Sequence, residues 1–439
     1  MRIEKTIKLK IIPITKEDRA LLLSLLNDYT KMIRESLEII MENNVCSRKR
    51  AHELCYKPLR ERYPFFHNKF AQEAYKRALS MYRSYRKLLS KWNRLPEKLK
   101  RRASPPSPPS VEENRVIDLH IDTFRLKREH GFLVLTISKE KGCYLKFIVK
   151  EYKYAIENLQ NADIGNSKIL IDGDEIYLLL TSRKRVLVEE HRNKLFVDIN
   201  EDSVDCLLVN YEEKKAYLFS IKHDIRKIRI NYRRIRKSIQ KEIRDEKRRN
   251  RLLAKYGKRE RNRVESRIKN IVASLVKLAE KFRADLVRED LRDLRNGKKT
   301  RSRQLNHRLS TLPYKKFTAF LDYKSHEHGL KARKIDPRRT SITCPLCGHV
   351  SKRNRVSKEE FICENCGFKF NAQYIACLNM FSRLNDGEIA IRGGRIILIS
   401  RKAGFVVAVN VAPDGPRNLM KWLREKPTPI AKASVVAQI

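Results

Sequence analysis

The sequence predicts an α/β protein of several domains, and three observations carry that reading. Apolar residues alternate near the N-terminus ("RIEKTIKLKII", 2–12) and again from about 115 to 190, the period of half-buried strands. Helical spacing governs 15–40, 68–92 and 223–270. Four cysteines in two spaced pairs then interrupt the C-terminal third. At 439 residues the chain has room for about two to four domains and a sizeable core.

The first strand puts Ile3, Ile7, Leu9 and Ile11 on one face and stops at Pro13. Thr15 then N-caps a helix, with Asp18 at the capping-box position. Leu22, Leu25, Leu26, Tyr29, Ile33, Leu37 and Ile40 form its apolar stripe. A second helix, "NKFAQEAYKRALSMYRSYRKLLSKW", mixes basic residues with Tyr75, Tyr82 and Tyr85. Such a face either holds a nucleic-acid backbone, with Tyr82 and Tyr85 stacking on bases, or is the solvated side of a half-buried helix. "RRASPPSPPS" (101–110), with its proline-rich part at 103–110, reads as an extended linker.

Beyond the linker come "FLVLTIS", "CYLKFIVK" and "KILIDGDEIYLLLTS", the last broken by the hairpin signal Asp172-Gly173. These runs make 115–190 antiparallel β. The first strand could join that sheet, which would make 15–110 an insertion in a β-domain. A third region, "KLFVDINEDSVDCLLVNYEEKKAYLFSI" (194–221), is strand, turn, strand, turn, strand. A long basic helical segment follows at 223–270, then "NIVASLVKLAEKFRADLVREDL", a helix running into a short strand that ends near Glu289.

Charge points to a partner. There are 98 basic and 52 acidic residues, a net of +46. Self-repulsion at that level favours a polyanion, and nucleic acid is the expected one. The segment 223–270 alone holds 20 basic and 6 acidic residues; it is either a solvated face or, as its density favours, a nucleic-acid contact. No run of eighteen apolar residues exists and the N-terminus does not read as a signal peptide, so the expectation is a cytoplasmic, nucleoid-associated protein with no membrane partner.

Cys344, Cys347, Cys363 and Cys366 form C-x2-C-x15-C-x2-C, each pair followed by a glycine (Gly348, Gly367) that permits a tight turn. The spacing is that of a closed, structural four-sulfur zinc site. Cys46, Cys55, Cys143, Cys206 and Cys377 are scattered and read as small core residues. Two acids stand at strand ends: Asp198 in "KLFVD" and Glu289 in "DLVRED". Acids so placed cap turns or pair with lysines, or, if they converge, hold divalent magnesium for phosphodiester hydrolysis.

The order of "FVDIN", "LVREDL", "RRTSITCPLCG", "FICENCG" and "NAQYIACLNM" resembles the TnpB family of compact RNA-guided nucleases, relatives of type V CRISPR effectors. The resemblance implies an RNase H-like (RuvC) nuclease fold at 191–339 and 371–383, interrupted by a zinc ribbon at 340–370. It also implies a β-barrel wedge domain at 1–14 and 111–190 carrying a helical recognition insertion at 15–110; residues 384–439 stay unassigned. A guide RNA would direct the protein to double-stranded DNA, with Arg226, Arg229, Arg233, Arg234, Arg236 and Lys237 on nucleic-acid backbone. Zinc would be structural, and magnesium would be held by Asp198 and Glu289.

The chain departs from the family after the second cysteine pair. Its members commonly carry a motif like Ala-Asp-x-Asn-Ala-Ala-x-Asn after the second cysteine pair. Ala372, Ala376 and Asn379 match it, but Gln373 stands for the acid and Ile375 for the first Asn. The expectation is a weak or inactive nuclease that still binds RNA and DNA. The alternatives are an active magnesium-dependent endonuclease with a displaced third acid, Asp386 or Glu388, and a nucleic-acid-binding structural protein built on the zinc ribbon.

Overall fold

The computed structural model describes residues 1–101, 104–140, 142–290, 313–385, 387–400, 404–411 and 434–435. The chain divides into two compact units, Arg2–Arg185 and Val186–Ile439 with Met1. Among the described residues no helix is long and apolar enough to cross a membrane.

In the first unit, seven antiparallel strands form one sheet: β1 (Arg2–Pro13), β2 (Val116–Leu119), β3 (Phe124–Glu129), β4 (Phe132–Glu140), β5 (Cys143–Val149), β6 (Asp163–Asp172) and β7 (Glu175–Arg185). Their order is β2-β6-β7-β1-β5-β4-β3. β1 thus lies between β5 and β7, far from its chain neighbours, because its alternating Ile7, Leu9 and Ile11 match the inward rows of both. The terminal strands β2 and β3 are separated by only the short turn through Ile121–Thr123. Five residue steps reach at most roughly 17 Å, so the sheet must roll to bring its two edges near each other.

Between β1 and β2 the chain forms α1 (Lys16–Glu42), α2 (Arg48–Arg62), α3 (Asn68–Asn93) and the short α4 (Glu97–Lys100); α5 (Lys153–Leu159) links β5 to β6. Leu22, Tyr29, Phe70 and Leu79 share one core with Leu9, Phe147 and Leu178 of the sheet. α2 has no strong sequence signal, since its buried residues are only Ala51, Cys55 and Leu59 and Pro58 lies inside it. Tyr82 corrects an expectation. It is buried in this core, and its hydroxyl donates to Asn44 Oδ1 at 2.9 Å, so its ring packs α3 rather than offering a face to a base. Tyr85 is half-buried against the same core. Two of the scattered cysteines also differ from expectation: Cys46, in the α1–α2 loop, is exposed, and Cys143, at the start of β5, is half-buried, whereas Cys55, Cys206 and Cys377 are buried.

The second unit is built on a mixed sheet of eight strands. These are β8 (Asn193–Ile199), β9 (Ser203–Asn210), β10 (Lys215–Lys222), β11 (Ala284–Glu289), β12 (Ala332–Ile335), β15 (Glu388–Arg392), β16 (Arg395–Ser400) and β17 (Phe405–Val411), in the order β12-β11-β8-β9-β10-β17-β16-β15. β8, β9 and β10 are an antiparallel meander, while β11 and β17 run parallel to their neighbours β8 and β10. β13 (Glu360–Ile362) and β14 (Phe368–Asn371) form a separate hairpin. Residues after 384, whose sequence shows only short strand-like runs, thus extend the sheet past β10.

Both faces of this sheet are covered, which is why β8–β10 read as nearly continuous apolar runs. Leu195, Val197, Cys206, Leu208 and Phe219 face α6 (Ile225–Glu242), α7 (Glu246–Lys281) and α8 (Tyr314–Glu327). Phe196, Leu207, Val209 and Leu218 face α9 (Ile375–Asn385) and the cysteine hairpins. The basic segment 223–270 is two helices and not one. The first ends at Glu242, and Asp245 caps the second, accepting from the Arg248 N–H at 2.8 Å, so the chain folds back on itself.

Asp18 ties α1 to the sheet. Its Oδ2 accepts from the Thr15 N–H and hydroxyl at 3.0 and 2.9 Å, and its Oδ1 accepts from the Lys146 N–H at 2.8 Å. Asp18→Ala leaves those donors unpaired and should lower the stability of this unit by about 1–3 kcal/mol. Amide hydrogen exchange on the full chain should show faster exchange in α1 and β5, with β8–β10 unchanged.

Candidate active site and four-cysteine centre

A row of polar side chains crosses the α9-facing side of the second sheet. β8 presents Asp198 at its end, on the same face as Phe196. The β8–β9 register sets Asp205 directly opposite Asp198, and the β9–β10 register sets Ser220 opposite Asp205. On the other side β11 runs parallel to β8 with Arg288 paired to Val197, so Glu289 ends its strand beside Asp198. The two predicted acids therefore converge on one end of adjacent strands, although ninety-one positions separate them.

Asp205 is the residue that sequence reasoning missed. It is fully buried in a strand that is otherwise uniformly apolar between Ser203 and Asn210, and that anomaly is its only local signal. The Asn200 side-chain amide donates to both acids, to Asp198 Oδ2 at 2.8 Å and to Asp205 Oδ2 at 2.8 Å. Asp205 also accepts from Ser203 Oγ at 2.8 Å and from Ser220 Oγ. Glu289 is gripped by the hydroxyl of buried Thr340, just before the first cysteine pair. Asn379 of α9 donates to the carbonyls of Thr340 and Thr343 at 2.7 and 2.8 Å and so fixes that loop.

The electrostatics follow from this crowding. Burial, then the negative charge of Glu289 and Asp205, push the Asp198 carboxyl up to about 8, against the Asn200 hydrogen bond and the positive charge of Arg355. Glu289 is raised as well, chiefly by burial, against the Thr340 hydrogen bond and the charge of Arg383. Carboxylate oxygens brought together at adjacent strand ends suit a hard divalent ion.

α9 lies over the row. The Tyr374 hydroxyl is 3.5 Å from Ser220 Oγ, and Cys377 Sγ is 3.2 Å from the Asp205 carbonyl. Tyr374, Cys377 and Leu378 are all buried. Gln373 occupies the turn that leads into this helix, half-buried, its N–H donating to Asn371 Oδ1 at 2.9 Å. Glu388, a proposed substitute acid, is exposed at the start of β15; Asp386 lies outside the described residues.

The four cysteines meet at one point. Cys344 and Cys366 sulfurs are 3.7 Å apart and those of Cys347 and Cys363 3.6 Å. Gly348 and Gly367 take φ of +74° and +67°, and each N–H returns to the carbonyl of Cys344 or Cys363 at 3.0 Å, which turns the backbone around the sulfurs. Among the described residues this is the one group of three or more His, Cys, Asp or Glu whose ligand atoms all lie within 4.8 Å of one another. The carboxylates of Asp198, Asp205 and Glu289 are spread more widely.

The basic hairpin divides its charges. Arg229 and Arg236 of α6 both reach Glu260 of α7, which is buried, and Arg226 pairs with Asp202 at 3.3 Å. Arg229 and Arg236 thus hold the hairpin together, and Arg226 ties α6 to the β8–β9 turn. Arg233, Arg234 and Lys237 are exposed, and Lys227 and Lys241 extend the Arg234–Lys237 stripe at helical spacing.

Known proteins share parts of this sequence and its fold. Residues 314–380, from α8 through both cysteine pairs into α9, match the family model described as Cas12f1-like, TNB domain. The chain is 25% identical over 264 residues to a TnpB-like protein of Methanocaldococcus jannaschii, covering 59% of this chain and 93% of that protein. A CRISPR-associated endodeoxyribonuclease, Cas12f1, of Sulfoacidibacillus thermotolerans is 43% identical over 58 residues, 13% of this chain and 14% of that protein. Among solved structures, a Cas12f1-sgRNA-target DNA complex aligns with a TM-score of 0.58 at 14% identity, covering 86% of this chain and 98% of the other. That likeness establishes a shared α/β fold.

Asp198 gives a pH test. Its folded-state pKa of about 8 lies above the usual carboxylate value of about 3.9, so the folded protein holds more protons than the unfolded one between those values. Stability contributed by this group is therefore lost as pH rises through that window. In magnesium-free buffer, with the cysteine centre intact, the melting temperature should fall between pH 5 and pH 8 and fall less in Asp198→Asn. Parallel curves for the two proteins would contradict the burial of this charge.

Proposed function

We propose that the chain is a member of the TnpB family and, on that premise, an RNA-guided DNA-binding protein whose nuclease centre cuts weakly or not at all. The observation that carries the reading is Gln373: a neutral amide stands in the turn that leads into α9, the helix that lies over the row holding Asp198 and Asp205. Glutamine offers a carbonyl oxygen but no charge. Two divalent ions held close together need several carboxylates to offset their repulsion, and this centre is one short. Losing an outer partner of a metal site typically lowers affinity or activity about 10–100-fold, and losing a ligand should do at least as much.

In this reading Asp198 and Glu289 hold magnesium, which when bound would polarise the scissile phosphate and supply an activated water. Thr340 keeps Glu289 turned to the site, Asn200 orients Asp198, and α9 closes the site over the sheet. The mixed sheet with its antiparallel meander supports an RNase H-like (RuvC) nuclease fold. The rolled sheet, with α1–α3 between β1 and β2, supports a β-barrel wedge with a helical recognition insertion. Sulfur spacings of 3.6–3.7 Å fit structural zinc, since bonds of about 2.3 Å in a tetrahedron put sulfurs about 3.8 Å apart.

Guide RNA and double-stranded target DNA are the partners. Base pairing reads the target, and the protein reads a short flanking motif and the shape of the heteroduplex. The exposed stripe of Lys227, Arg234, Lys237 and Lys241, with Arg233 nearby, supplies backbone contacts that salt would weaken. A cytoplasmic, nucleoid-associated location follows from those partners. The reading with Glu388 as substitute acid is disfavoured by the exposure of that residue on a separate strand.

Purification at low salt should bring down a defined RNA, and its absence would remove the guide reading. With that RNA, magnesium-dependent cleavage of matched DNA should rise at least about 10-fold in Gln373→Asp. Equal, robust cleavage by the unaltered protein would overturn the weak-nuclease reading. Elemental analysis should find about one zinc per chain, lost in Cys363→Ser.

A further inference from the structure

We propose that Asp205 is a positioning residue that keeps this centre able to bind one divalent cation, acting on Asp198 through Asn200, in a chain that lacks the acid at 373. The inference rests on the reading that Asp198 and Glu289 hold that cation. It is carried by a shared donor: the two hydrogens of one amide, Asn200 Nδ2, are divided between Asp198 and Asp205 at 2.8 Å each, on residues paired directly across β8 and β9.

The arrangement gives Asp205 two effects. Hydrogen bonds from Asn200, Ser203 and Ser220 satisfy its oxygens despite full burial. A fixed negative charge one strand from Asp198 attracts a cation over a short, poorly screened path. The same hydrogen bonds fix the Asn200 amide, and that amide in turn fixes the Asp198 carboxylate by one oxygen. Asp205 itself is not placed as a ligand. Its oxygens already accept three donors, and the three carboxylates do not gather as closely as the cysteine sulfurs.

Asp205 is also joined to the altered helix start. Ser220, which donates to Asp205, lies 3.5 Å from the Tyr374 hydroxyl, and Cys377 contacts the Asp205 carbonyl. The charge missing at Gln373 and the charge present at Asp205 therefore belong to one packed group of side chains. A purely structural acid would hold only the Asn200–Ser203 turn.

Manganese titration separates these roles, because it reads cation binding without cleavage and the hard ion prefers carboxylates to the zinc-filled thiolates. The full chain with its co-purified RNA is titrated with Mn2+ and free ion is followed by electron paramagnetic resonance. Saturable binding should be present in the unaltered protein and lost in Asp198→Asn. It should weaken about 10–100-fold in Asp205→Asn and in Asn200→Ala, while the thermal melt without added divalent cation shows both variants folded. Unchanged Mn2+ affinity in either folded variant overturns the proposal while leaving the Asp198–Glu289 reading intact. Absence of saturable binding in the unaltered protein overturns both. If Asp205→Asn does not fold, Asn200→Ala carries the test, since it breaks the link and keeps both acids.

Discussion

Burial of negative charge on one face of the β11–β8–β9 strands constrains the rest of the second unit. Asp205 is fully buried and Asp198 and Glu289 half-buried on a mostly apolar face, where an uncompensated carboxylate is strongly unfavourable. The chain meets this with donors from several elements. Asn200 comes from the β8–β9 turn, Ser220 from β10, and Thr340 from the loop before the cysteines. α9 closes the arrangement, with Asn379 pinning the Thr340 loop. The cysteine centre, at the other end of that loop, sets where the loop and α9 begin, so the sulfur site and the acid site are mechanically one construction.

This packing explains how the fold accommodates a neutral residue at 373. The start of α9 is held by Tyr374, Cys377 and Leu378 in the core, none of which depends on residue 373. On the proposed reading, glutamine in place of a charged ligand there removes repulsion among neighbouring carboxylates as well as a ligand, a change that favours stability of the cation-free protein over catalysis.

The sequence disclosed what local chemistry dictates. The Thr15–Asp18 cap, the paired cysteines with their glycines, and the alternation in 2–12 each follow from the residues within a few positions. What it hid depends on register and on facing. Asp205 matters because the Asn200–Ser203 turn sets it opposite Asp198, and a one-residue slip would turn it to the other face. Tyr82 and Tyr85 are adjacent on a basic helix, and helical period alone does not tell which of them the core claims. Arg229 and Arg236 looked free for nucleic acid until the break at Asp245 brought Glu260 alongside them.

On the proposed reading, a retained grip on DNA and a weakened cut are two sides of the one change at Gln373. The most direct test measures both on the same sample: the fraction of matched DNA bound by the protein–RNA complex in magnesium, and the fraction cleaved, over one time course. Binding should saturate while cleavage stays at least about 10-fold behind what Gln373→Asp achieves at equal occupancy. Cleavage that keeps pace with binding in the unaltered protein would contradict it.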